Sequence, residues 1–182
     1  MGLMSLLYSI WLLPQAAQEQ ALQAVIDSLA DQHGTVRFQS HLTVCGSLRN
    51  VAALDAASAY VMQSGLLPLT TSMTGVASGA ESPFRAVFIE IENSPALRDF
   101  RETLRDLTGA GELHLPHVSL LYTLHRNTQQ PMPQLDAARR YAIAKDCNTR
   151  IPAGELILDR VAVKTTEDHW ENVRSWALAR ML

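Results

Sequence analysis

The chain moves between two hydrophobic rhythms. Leu3 to Leu13 is an almost continuous apolar run, broken by Ser5, Tyr8 and Ser9 and closed by Pro14, and it predicts a buried strand. From Ala17 to Gln32 the period lengthens. Leu22, Val25, Ile26 and Leu29 fall on one face of a helix, and Gly34 supplies its stop. Phe38 to Leu48 then alternates, with Leu42 and Val44 on one face and His41, Thr43 and Cys45 on the other, which predicts a strand. Val51 to Gln63 reads as a short helix closed by Ser64-Gly65, Leu67 to Val76 as a Thr/Ser-rich strand, and Gly79 to Pro83 as a turn.

The second half repeats the order. Phe84 to Glu92 alternates strongly and predicts a central strand. Ser94-Pro95 is a helix start, followed by an apolar stripe of Leu97, Phe100, Leu104 and Leu107 and by Gly109 and Gly111. Leu113 to Leu124 is the next apolar stretch. Beyond a polar loop, Arg126 to Pro133, come a helix over Gln134 to Lys145 and a strand over Leu156 to Lys164. In Trp170 to Leu182 the spacing of Trp170, Val173, Trp176 and Leu178 fits helix and strand alike, and strand is the reading adopted.

The two halves share more than element order. His41-Leu42-Thr43-Val44 and His117-Val118-Ser119-Leu120 repeat one pattern 76 positions apart: His, apolar, hydroxyl, apolar. In an extended chain each His shares a face with its hydroxyl neighbour while the apolar residues enter the core. Two imidazoles and two hydroxyls facing one another suit a phosphate ester flanked by proton-transfer groups. His33, His114, His125 and His169 have no such echo and are read as surface or loop residues.

Composition narrows the chemistry. With 182 residues, 47% of them apolar, the chain can build one domain or two small lobes sharing an interface. A net charge of −3 and the lack of a Lys/Arg run argue against a long polyanion held by general electrostatics. Cys45 and Cys147 have no metal-ligand spacing and are read as reduced thiols, and neither carboxylate clusters nor Cys/His spacing suggests a metal. His114 and His117 lie three apart in a predicted strand and so face opposite ways. There is no G-x-x-x-x-G-K-[ST] loop for a nucleoside triphosphate. The first apolar run is too short for a membrane span and has no basic leader, so a cytoplasmic protein is expected.

Histidine titrates near neutral pH, at about 6.5 when unperturbed, so one ring can accept a proton while its twin donates one. In hydrolysis of a cyclic phosphodiester, one His takes a proton from water and the other protonates the leaving ribose oxygen. The assignment adopted is His117 as base toward water and His41 as acid toward the leaving 3′ oxygen, with the reverse as its alternative. Thr43 and Ser119 would donate to the nonbridging oxygens.

The paired motifs resemble those of the 2H phosphoesterase superfamily. Tyr8-Ser-Ile-Trp-Leu-Leu-Pro14 and Pro116-His-Val-Ser-Leu-Leu-Tyr122 are similar, more narrowly, to segments of the cyclic phosphodiesterase family of plants, fungi and bacteria. The resemblance implies an α+β bilobal fold, with two antiparallel sheets facing a cleft and helices outside, over residues 1–182. It implies hydrolysis of 2′,3′-cyclic nucleotides to 2′-phosphates, or of ADP-ribose 1″,2″-cyclic phosphate to the 1″-phosphate, with no cofactor. His41 and His117 match the family's catalytic positions, and Thr43 and Ser119 its phosphate-binding positions. Tyr122 matches a position near the phosphate, although alternation puts it opposite His117 unless a bulge or strand end intervenes. Trp11 matches an aromatic at the family's cleft, where a base could stack.

Other expectations follow from the same reading. A monomer acting on a small phosphorylated nucleotide, or on short RNA ends, is expected, and Arg37, Arg49, Arg85, Arg126 and Lys164 are candidates for a second phosphate. Two rivals stand beside it. A 2′-5′ RNA ligase-like RNA-end-processing phosphoesterase would show a basic groove and steep salt dependence; a noncatalytic nucleotide-binding module would bind product without turnover.

Overall fold

Four helices and seven strands of the computed structural model share one α+β architecture, which is described for residues 6–79, 82–151, 153–166 and 173–182. The order is β1 (Leu7–Pro14), α1 (Ala16–His33), β2 (Leu42–Leu48), α2 (Val51–Ser64), β3 (Leu69–Ser78), β4 (Val87–Ile91), α3 (Pro95–Thr108), β5 (His117–Leu121), α4 (Ala137–Arg150), β6 (Gly154–Thr166) and β7 (Ala177–Met181). A short 3-10 turn, Val173–Ser175, precedes β7. His169 and Trp170 lie outside the described residues.

The strands form one antiparallel sheet in the order β1-β2-β5-β4-β3-β6-β7, with β1 also paired to β6. Two sheets were expected from the resemblance; hydrogen bonding joins them. The unit β1-α1-β2-α2-β3 recurs as β4-α3-β5-α4-β6, and the pairings recur with it: β1 with β2 as β4 with β5, and β1 with β6 as β4 with β3. Each half thus lends its last strand to the other. At the seam, β2 meets β5 through a single register pair, Leu42 opposite Val118, the two residues that follow the motif histidines. So sparse a ladder lets the strands part beyond it, and the cleft opens there.

Local signals set the helix ends. Ser94 and Asp136 accept hydrogen bonds from Leu97 N and Arg139 N, and Asn50 accepts one from Ala53 N, so α3, α4 and α2 begin with side-chain caps. Gly34 and Gly109 take left-handed φ values of 70° and 66°, ending α1 and α3 where a Cβ would be strained. Residues 110–116 then run as a loop into β5. The core includes Leu12, Leu42, Ile89, Val118 and Leu120 from the strands and Ile26, Leu97, Phe100 and Leu104 from the helices. Cys45 and Cys147 are both buried and free. Among the described residues no helix is long and apolar enough to cross a membrane.

Element boundaries moved in one consequential way. The strand expected over Phe38 to Leu48 starts at Leu42, and the one expected over Leu113 to Leu124 runs only from His117 to Leu121. His41 therefore stands just before its strand and His117 at the first position of its own. Both rings are thus held at a strand entrance and line the cleft.

Candidate active site

A cavity of about 460 Å³ lies along the seam, and all six residues expected in the site line it: Trp11, His41, Thr43, His117, Ser119 and Tyr122. Each motif histidine is anchored in the same manner. His41 Nδ1 lies 2.6 Å from the Gln39 carbonyl, and His117 Nδ1 lies 2.9 Å from the Leu115 carbonyl, in each case the residue two before the ring. A carbonyl only accepts, so Nδ1 carries the hydrogen and donates it. Nε2 is left as the reactive nitrogen of both rings.

Their surroundings differ. His41 is 5% exposed and stacks on Trp11, with ring centroids 3.6 Å apart and planes 11° from parallel. Burial pushes its pKa down to about 3, the nearby His117 and Lys164 charges push the same way, and the Gln39 carbonyl opposes them. His117 is half-buried and meets the Phe88 ring edge-on at 5.5 Å. Its pKa is also lowered, first by burial and then by the charges of Arg85, His114 and Arg101, against the Leu115 carbonyl. Cations lie over the neighbouring rings: Lys164 over Trp11 at 5.3 Å and Arg85 over Phe88 at 5.8 Å.

Thr43 is exposed to the cleft, and its hydroxyl has no hydrogen bond among the described residues. Ser119 is buried and its hydroxyl donates to the Phe84 carbonyl at 2.8 Å. Tyr122 lies one residue past the end of β5, which frees it from alternation and brings it to the cavity. It stacks on Phe38 at 3.7 Å and interacts with Ser119, and burial raises its phenol pKa. Trp176, which sequence reading did not single out, meets Trp11 edge-on at 5.2 Å and closes the aromatic wall. Its place depends on β7 pairing with β6, a contact that spacing alone does not encode.

The cations sort themselves by position. Arg37 and Arg126 both pair with Asp31, away from the cavity, and Arg49 is not among the lining residues. Lys164 and Arg85 do line it, as does Arg101, and Glu112 is the one carboxylate on the wall among the described residues. A chain of net charge −3 thus turns a cationic cleft toward its ligand. No group of three or more His, Cys, Asp or Glu among the described residues is arranged to hold a metal ion.

The fold and the paired motifs are similar to those of the 2H phosphoesterase superfamily, and the comparisons with known proteins point the same way. A curated relative, the cyclic phosphodiesterase of Arabidopsis thaliana, is 27% identical over 142 residues, spanning 72% of this chain and 76% of that one. Among solved structures, Escherichia coli LigT complexed with ATP shares the fold with a TM-score of 0.58 at 13% identity, covering 97% of this chain and 96% of that one. The same protein complexed with NADP+ gives 0.56 at 13% identity, over 96% and 95%. No protein-family model matches the chain.

Proposed function

We propose that this phosphodiesterase hydrolyses 2′,3′-cyclic nucleotides to 2′-phosphates by general acid and base catalysis between His41 and His117. The observation that carries the reading is the matched anchoring of the two rings, each tied through Nδ1 to the carbonyl two residues back, with both lining one cationic cavity. The name of the Arabidopsis relative points to the same bond.

The unequal burial of the rings suggests their division of labour. Between two unequal pKa values the populated singly protonated form keeps the deeper ring neutral, so His41 is the base that takes a proton from water. His117, nearer solvent, carries the proton and gives it to the departing 3′ oxygen. This reverses the assignment taken first from the sequence. Thr43 has a free hydroxyl for one nonbridging oxygen, and Ser119 reaches the other by turning its hydrogen away from the Phe84 carbonyl. The chain's own residues fill each of these roles.

The pH dependence tests the assignment. Activity needs His117 protonated and His41 neutral. Because the pKa of the free His117 lies below its usual value, kcat/KM loses its proton donor at lower pH than an unperturbed imidazole would. The expected profile has its optimum on the acid side of about 6.5 and falls from pH 6.5 to 8. In kcat the falling limb moves to higher pH, since a bound phosphate anion favours the imidazolium. A kcat/KM that rises between pH 6.5 and 8 would refute the scheme.

A further inference from the structure

Arg101 enters the cleft from the buried face of α3, and the two-histidine chemistry has no use for it. It is 4% exposed, and its Nη2 donates to the His114 carbonyl at 2.5 Å. Its Nε is buried without a hydrogen-bond partner, and no carboxylate is within ion-pair distance among the described residues. The other arginines of the helix behave differently: Arg98 pairs with Asp99 and Arg105 with Asp106, all at the surface. A buried guanidinium with no counter-ion is costly unless a ligand brings the anion.

Its position says which anion. The aromatic wall of Trp11, Trp176 and Tyr122 stands around His41. Arg101 instead bonds the His114 carbonyl, in the loop that leads into His117, and lines the cavity from α3. On a ribose the base at C1′ and the 5′ oxygen beyond C4′ project to opposite sides of the edge that bears a 2′,3′-cyclic phosphate. Trp176 is the half-buried member of that wall, and a base lying against it directs the 5′ oxygen toward Arg101. The other lining cations are already seated on aromatic faces, Lys164 on Trp11 and Arg85 on Phe88.

We propose that Arg101 binds a second anionic group, a phosphate on the 5′ oxygen of the ribose whose cyclic phosphate lies between the histidines. This rests on the cyclic-nucleotide reading above. The preferred substrate is then a nucleoside 5′-phosphate 2′,3′-cyclic phosphate, with the Arg101 guanidinium, which lacks a counter-ion, as the partner of its 5′ group.

The test is the ratio of kcat/KM for 5′-phosphorylated 2′,3′-cyclic AMP to that for 2′,3′-cyclic AMP. In the wild-type protein it is expected to be about tenfold or more, the worth of a charge-assisted hydrogen bond. In Arg101→Met it is expected to fall to about one. Each ratio is read within one protein, so a general loss of activity cancels. Should Arg101→Met not fold, Arg101→Lys is read instead, with the ratio expected to drop by about threefold because an ammonium does not reproduce the guanidinium fork. A wild-type ratio near or below one, or an undiminished ratio in whichever variant is read, overturns the role of Arg101. Wild-type failure on both substrates would instead sink the cyclic-nucleotide reading itself.

Discussion

Replacing His117 by Ala is expected to lower kcat/KM toward 2′,3′-cyclic AMP by about 10²–10⁴-fold while leaving the fold in place. The ring is half-buried and touches Phe88 only by its edge, so little packing is lost with it. His41→Ala should lose a similar factor, with an added loss of stability because its ring is sealed under Trp11. The double variant should fall little below the worse single one, since acid and base act as a unit and their effects do not add. Steady-state kinetics at a temperature where circular dichroism shows all three folded would decide it. Near-wild-type turnover by either single variant would remove the two-histidine mechanism.

The second large effect is expected at Trp11. The indole is 3% exposed, covers one face of His41, hydrogen-bonds through Nε1 to Ser9 Oγ at 2.9 Å, and carries the Lys164 ammonium on its ring. Trp11→Ala should cost about 3–5 kcal/mol of stability by opening a cavity between β1 and the cleft. It should also wet His41 and return its proton affinity toward the ordinary imidazole value, since burial is the largest cause of the depression. Urea unfolding gives the first quantity and an NMR titration of the His41 ring the second. Trp11→Phe should retain much of both. A Trp11→Ala protein with unchanged stability and an unshifted His41 would mean that the stack plays neither part.

Much of this architecture is legible in the chain because its signals are local. The caps at Ser94, Gly34 and Gly109 act within one helical turn, and the two His-x-hydroxyl-x motifs need only the strand period to set ring and alcohol on one face. What is not legible depends on partners distant in sequence. Nothing in Leu69–Ser78 or Gly154–Thr166 says that each strand joins the other half's β-α-β unit, so one joined sheet stands where two were expected. The pairings of Leu42 with Leu12 and Val118 and of His117 with Glu90 likewise mark where β2 and β5 begin, and they leave His41 outside its ladder.

Arg101 carries a signal in the sequence as well. It follows Leu97 by four positions and precedes Leu104 by three, which places a guanidinium on the apolar stripe of α3. Helix charges are usually solvated, as Arg98 and Arg105 are, and only the packing of α3 against β2 turns the third one inward. Tyr122 is the opposite case. Alternation places it away from His117, and the early end of β5 is a tertiary fact that overrides the rule.

The proposed mechanism stands on which bond of the cyclic phosphate is opened. Phosphorus NMR of 2′,3′-cyclic AMP incubated with the wild-type protein and a chelator reads that bond directly. The cyclic phosphate signal should give way to the 2′-phosphate alone, and His117→Ala should leave it standing. Persistence of the cyclic signal under wild-type protein, or its conversion by wild type and His117→Ala alike, would contradict the mechanism.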